Sequence, residues 1–328
     1  MEPTALAIGG LIVGFVLLIK GGDWLVKGAS ALAKYLGVSD LVVGLTIVAL
    51  GTSMPELVIS LWANLQGNAD ICVANVVGSN IANILLILGL VALVCPITVG
   101  RSTAWRESPF LILVSVVFMI MANDRVFWQS DENMLSLGEG LILLAMLAVF
   151  LLYMGMVGVQ PVAVNLKSVE KTVPRGLAVF YVVIGLVLLV VGGNWVVGGA
   201  VQIAHTLGIS DKVIGLTIVA IGTSLPELAA TGMAAYRKKF DIAIGNVVGS
   251  SIFNILLILG VSSIVRTLPV TSGMNFDIGV MLAATVLLLA VMFLGRKDQE
   301  QKMEVDRSEG AVLVCLYAGS IGWLVYNG

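Results

Sequence analysis

Long apolar runs separated by short polar connections dominate the chain. A helix needs about 20 mostly apolar residues to cross a hydrocarbon layer roughly 30 Å thick. Ten runs meet that length, starting near Thr4, Leu41, Ile71, Ser108, Leu137, Leu177, Val213, Ile242, Phe276 and Gly310. The pattern predicts an all-α polytopic membrane protein of ten transmembrane helices. Irregular backbone between the runs must then lie outside the lipid or line a protein cavity. Composition agrees: 59% of the 328 residues are hydrophobic, 12% are charged, and the mean hydropathy is +1.05. The polar segments are too short for a soluble domain, and a net charge of −2 gives no reason to expect a nucleic-acid partner. The expected partner is the lipid bilayer, and no required protein partner is evident. The first run could be mistaken for a signal peptide, with Ala29-Ser30-Ala31 resembling a cleavage site. It has a counterpart at Gly185–Gly199 in the second half, which favours a retained span.

That counterpart is part of a duplication. Shifted by 171 residues, Asp40–Gly89 falls on Asp211–Gly260 without a gap, and 30 of the 50 positions are identical. Trp24 falls on Trp195 and Asp23 on Asn194. The repeats are expected over residues 1–160 and 172–328, with the most similar segments at 49–89 and 220–260. Each half holds five runs, an odd number, so the second copy enters the membrane from the opposite side. Inverted-topology repeats of this kind mark transporters, with sites near the midplane where the repeats meet. Charge sets the orientation. With the N-terminus outside, the inner loops hold Arg101, Arg106, Lys167, Lys171, Arg175, Arg237, Lys238, Lys239, Arg296, Lys297, Lys302 and Arg307; the outer loops hold Arg125, Lys212 and Arg266. Lys20, Lys27 and Lys34 lie along a long first helix and belong to neither set. The excess of inner basic residues places both termini outside a cell (inner) membrane.

The chemistry concentrates in a doubled motif. Gly51-Thr-Ser-Met-Pro-Glu56 recurs as Gly222-Thr-Ser-Leu-Pro-Glu227, each inside an apolar run. An ionisable residue at bilayer depth is costly and marks an ion or substrate path. Pro55 and Pro226 lack the N–H that Gly51 and Gly222 would accept, so each run should break and turn carbonyls into the bundle. Thr52, Ser53 and Glu56 share one helical face, as do Thr223, Ser224 and Glu227. The following runs carry Asn75, Ser79 and Asn83 at four-residue spacing, mirrored by Asn246, Ser250 and Asn254. A single Asn or Ser in such a helix is usually interhelical glue. Here the stripe recurs in both copies beside a glutamate and a break, which favours a ligand set. Carboxylates, hydroxyls, amides and carbonyls without sulfur or imidazole suit a hard cation such as Ca²⁺. Two facing carboxylates need compensation, by one divalent ion, two monovalent ions or protons.

Other residues add little. Cys72, Cys95 and Cys315 form no disulfide framework or metal spacing, and His205 reads as a loop-end residue. Asp70 and Asp241 fit helix starts or a role in admitting ions. Glu139 and Asp277 lie near span ends and are expected to be solvated. Gly10 and Gly14 permit close helix packing.

At the doubled motif the chain resembles the cation/calcium exchanger superfamily, in particular its short prokaryotic sodium/calcium antiporters. Gly51–Glu56 with Gly78-Ser-Asn-Ile-Ala-Asn83 matches the family's first α-repeat, and Gly222–Glu227 with Gly249-Ser-Ser-Ile-Phe-Asn254 its second. The resemblance covers essentially the whole chain and implies the sodium/calcium exchanger fold, with cation sites between spans 2, 3, 7 and 8. It implies that Glu56 and Glu227 hold Ca²⁺ with Thr52 and Thr223. Ser53, Ser224, Ser79 and Ser250, together with the carbonyls of Ala49 and Ala220, would add oxygens, and Asn83 and Asn254 would shape the centre. The first and sixth spans would slide over this core. Asn254 is a departure, because well-understood sodium/calcium exchangers carry an aspartate there.

The expected activity is therefore Ca²⁺/Na⁺ antiport by alternating access, with no cofactor beyond the transported Ca²⁺ and Na⁺. The loss of one acid leaves H⁺ open as the coupling ion in an antiporter of the same fold. A cation channel could use the same oxygens, although broken helices in inverted copies favour alternating access. An intramembrane hydrolase at Ser53 or Ser224 lacks a His or Lys base, so no enzyme activity is expected.

Overall fold

The computed structural model describes residues 3–127, 132–158, 173–208, 220–271, 273–294 and 303–327. Its helices are α1 (Pro3–Leu36), α2 (Asp40–Thr52), α3 (Met54–Leu65), α4 (Ala69–Val94), α5 (Thr103–Met121) and α6 (Leu137–Val157) in the first half. The second half holds α7 (Arg175–Thr206), the short α8 (Ala220–Gly222), α9 (Leu225–Tyr236), α10 (Phe240–Val265), α11 (Met274–Leu294) and α12 (Arg307–Asn327). Among the described residues seven helices are long and apolar enough to cross a membrane, and the bent pair α2 and α3 makes an eighth. Of the remaining two expected spans, the seventh begins outside the described residues, near Val213. The tenth corresponds to α12, whose 21 residues give a length of about 31 Å. Helices begin up to five residues before the apolar runs; α5 starts at Thr103 rather than Ser108 and so draws Glu107 inside.

The centre is built by α4 and α10. Ninety-four per cent of the apolar window of α10 and 78% of that of α4 lie inside the protein, against 28% for α1 and 33% for α7. Those last two helices form an outer layer. They run antiparallel and touch through small residues: a Cβ on Gly14 would stand 2.8 Å from the Gly192 carbonyl, and one on Gly21 2.9 Å from that of Gly185. Gly14 corresponds to Gly185 in the repeat and Gly21 to Gly192, so the two contacts are images of one another about a pseudo-two-fold axis. A hydrophobic face with no such notch could not bring the backbones this close.

The chain is not purely helical. Short strands β1 (Ile97–Val99) and β4 (Met303–Val305) pair antiparallel, with Thr98 opposite Glu304. Likewise β2 (Met134–Leu135) pairs with β3 (Leu268–Pro269). These pairings tie the connections between helices and have no mark in the hydropathy pattern, because strands of two or three residues leave no periodic signal. Glu139, expected in solvent, instead closes a capping box with Ser136 at the start of α6, satisfying backbone donors there. Asp70 and Asp241 sit in the first turns of α4 and α10, as a helix dipole favours. His205 lies exposed in the last turn of α7. Cys72 is buried, Cys95 intermediate and Cys315 exposed, all free.

Candidate cation site

The break in the first motif falls where proline dictates. α2 ends at Thr52 and α3 begins at Met54, with Pro55 in its first turn and a bend of 43° between them. Proline is tolerated there because the first helical N–H groups have no partner anyway. Ser53 spans the joint with φ −84° and ψ 2°, and Ser224 does the same at the start of α9 with φ −88° and ψ 5°. Glu56 and Glu227 therefore stand in the first turns of two half-helices, where the dipole favours negative charge. Each is 1% exposed.

Both acids are held by matching supports. The Asn75 amide donates to the Glu56 carbonyl (3.4 Å) and to Ser60 Oγ (3.0 Å). Asn246 repeats this with the Glu227 carbonyl (3.5 Å) and Thr231 Oγ1 (3.0 Å). The halves then interlock. Thr52 Oγ1 donates to Asn246 Oδ1 (3.2 Å) and lies 3.4 Å from Ser250 Oγ. Ser53 Oγ reaches Glu227 Oε1 at 3.5 Å. The Ala49 carbonyl accepts from Ser53 N (3.0 Å) and Ser250 Oγ (3.5 Å), with Thr52 Oγ1 at 3.3 Å as an alternative donor, so it is shared between the halves.

What the site lacks is as informative. Both Glu56 carboxylate oxygens, Glu227 Oε2, Ser224 Oγ, Asn254 Oδ1 and both amide atoms of Asn83 are buried with no hydrogen-bond partner among the described residues. Stranding a charged oxygen in this way costs several kcal/mol of desolvation, so a cluster of such atoms favours a positive partner. Asn83 and Asn254 each lie at a π-helical turn, within Ala82–Ile87 and Asn254–Leu259, a distortion common at functional positions.

Nearly all the residues anticipated from sequence fall in this neighbourhood: Thr52, Ser53, Glu56, Ser224, Glu227, Ser250, Asn83 and Asn254 are buried together at the meeting of α2, α3, α4, α9 and α10. Ser79 is buried one turn before Asn83, and Thr223 is half-buried at the second joint. Ala220 begins α8. Asn80 and Asn64 were missed. The Asn80 amide is joined to Asn254 by a hydrogen bond of 3.1 Å, and Asn64 donates to the carbonyls of Ser262 (2.7 Å) and Arg266 (3.1 Å). The usable signal was divergence: their repeat counterparts are Ser251 and Ala235.

Comparison with known proteins agrees with this architecture. The family described as "Sodium/calcium exchanger protein" matches residues 6–156 and 177–326. A putative antiporter, CaxA, from Alkalimonas amylolytica is 40% identical over 317 residues, covering 94% of this chain and 95% of the relative. The sodium/calcium exchanger MaX1 of Methanosarcina acetivorans is 35% identical over 353 residues, covering 96% and 97%. Among solved structures, the sodium-calcium exchanger NCX_Mj superposes with a TM-score of 0.82 at 31% identity, covering 97% of this chain and 99% of that one.

Proposed function

The chain belongs to the sodium/calcium exchanger protein family, and on that premise we propose that it is a secondary antiporter exchanging Ca²⁺ for Na⁺ by alternating access. The observation that carries this reading is the set of buried, unpartnered oxygens between Glu56 and Glu227. They are hard donors of the kind Ca²⁺ collects in a flexible cage. Glu56 and Glu227, with Thr52 and Thr223, are the proposed Ca²⁺ ligands. Ser53, Ser224, Ser79, Ser250, Asn83, Asn254 and the Ala49 and Ala220 carbonyls complete the sites that Na⁺ occupies in turn. With the cage filled its charge is compensated, and only then does it cost little to close it off from both aqueous sides. The repeats are assigned to 1–160 and 172–328, with ten spans and both termini outside the inner membrane, on the basic residues of the connections.

Asn254 favours a second reading in which H⁺ replaces Na⁺, since the cage carries two acids rather than three. One experiment separates these. Ca²⁺ uptake is followed into vesicles loaded with Na⁺, or with acid, against matched controls. Uptake driven by Na⁺ and abolished by Glu56→Gln supports the first reading, and uptake driven only by the acid load supports the second. Uptake down its own gradient with no counter-ion dependence would mark a channel and defeat both.

A further inference from the structure

The two asparagines at the centre occupy equivalent repeat positions, yet their surroundings differ. Asn80 and Ser251 are also repeat counterparts, and they meet across the pseudo-two-fold axis: the Asn80 amide nitrogen donates to the Ser251 carbonyl at 3.3 Å and to Met281 Sδ at 3.5 Å. A backbone carbonyl and a thioether only accept, so Asn80 must turn its nitrogen to them. Its Oδ1 is thereby left facing Asn254, and being an acceptor it requires the nitrogen of Asn254, which donates at 3.1 Å. The orientation of Asn254 follows from this chain of obligate acceptors. Its Oδ1 is left buried and unpartnered.

The image of this tether does not exist. Ser251 Oγ donates to Val247 O of its own helix at 3.0 Å, and neither amide atom of Asn83 has a partner. A serine is also too short to do for Asn83 what Asn80 does for Asn254. Among the described residues, one of the two amides is fixed and the other is not.

We infer that Asn80 is a positioning residue for cation affinity: it locks Asn254 with its carbonyl oxygen, rather than its N–H₂ group, presented as a cation ligand, while Asn83 is left to adapt to the ion that binds. The inference rests on the cation-site reading above. It gives Asn254 a definite part, since a tethered amide offers a neutral oxygen of fixed direction where an aspartate would offer charge. A fixed oxygen discriminates between ions by distance and number of ligands, and an unfixed amide can turn its oxygen toward either. An amide free to turn its N–H₂ group toward the cage would oppose a cation. Holding it is therefore worth affinity even though Asn80 touches no ion.

The test is a double-mutant cycle read by Ca²⁺ binding and Ca²⁺ flux. Asn80→Leu keeps the side-chain shape and removes both polar atoms. It is expected to raise half-saturating Ca²⁺ about tenfold with less change in the maximal rate. In an Asn254→Ala background the same substitution is expected to change half-saturation less than about twofold, because no amide remains to be oriented. Equal effects of Asn80→Leu in the two backgrounds would reduce Asn80 to a packing role, and unchanged affinity in the wild-type background would overturn the inference outright. Should Asn80→Leu fail to fold, Asn80→Ser, which copies the counterpart position, enters the same cycle. Ca²⁺-dependent thermal stabilisation of the purified chain reads binding apart from transport. A wild type that binds Ca²⁺ without exchanging it sinks the antiport reading alone. Tight Ca²⁺ binding by Asn80→Leu sinks the positioning role alone.

Discussion

The arm of the cage made by α3 and α4 and the arm made by α9 and α10 present the same acids on the same supports, yet different chemistry stands behind them. Behind Glu56 lie Ser60, Asn64, Cys72 and Ser262, all buried, with Asn64 Oδ1 and Ser262 Oγ unpartnered. The counterparts behind Glu227 are Thr231, Ala235, Ala243 and Val91, three of them without a polar side-chain atom. At the opposite rim the balance reverses. Arg237 pairs with Asp23, and Lys239 with Asp40 at 2.9 Å, whereas Gln66 and Asn194 stand in for the first pair and Asn68 for Lys239. Duplication preserved the acids and hydroxyls of the proposed cage and let the residues flanking it diverge. The two acids and their supports are thus common to both halves, and the halves differ in the tether on Asn254 and in their flanks.

The largest expected effect tests the equality. Glu56→Gln and Glu227→Gln should each reduce cation-driven Ca²⁺ uptake by about a hundredfold or more, since either change leaves the other acid without its shared counter-ion. If one variant keeps more than about a tenth of the wild-type rate, the two arms are not equivalent ligands.

Packing between the outer helices comes next. Gly21→Leu and Gly192→Leu, at equivalent positions, should each destabilise the protein by about 1–3 kcal/mol, because each meets backbone at the α1–α7 contact. Matching losses in thermal melting in detergent would sharpen the symmetry, and a loss confined to one variant would break it.

Asn64→Ala makes the two flanks more alike by copying Ala235. It removes both amide bonds to the end of α10 and should cost about 1–2 kcal/mol by the same melting measurement. No loss would mean that this polar cluster is not a structural difference between the openings.

The smallest effect belongs to the rim. Asp23→Asn copies Asn194 and should change stability by about 0.5 kcal/mol, since its ion pair with Arg237 is partly exposed. The difference from wild type should fade as salt is raised; a large, salt-insensitive loss would show that the rim pair does more than decorate its half.

The sequence exposed what repeats and what proline enforces. Glu56, Glu227 and their hydroxyl neighbours announced themselves through spacing and duplication, and Pro55 located the bend. Asn80 did not, because its importance depends on the rotation of α4 against α10, which brings residue 80 to 251 and 254. Glu107 was hidden for a similar reason. The apolar run begins at Ser108, but the helix starts at Thr103 and carries Glu107 inward, where Ser102 Oγ donates to it at 3.0 Å. The paired strands were invisible because their register is set by distant connections being brought together rather than by their own residues.

The self-matching seam between α1 and α7 has one more consequence. Rotation about its axis exchanges Gly14 with Gly185 and Gly21 with Gly192, and leaves the glycine contacts unchanged. A shift of both helices together keeps these notches engaged, whereas a slide of one along the other would carry each notch off the carbonyl it admits and press side chains onto facing backbone. The seam is therefore a latch rather than a bearing: it joins the two outer helices, one from each half, into a single rigid unit.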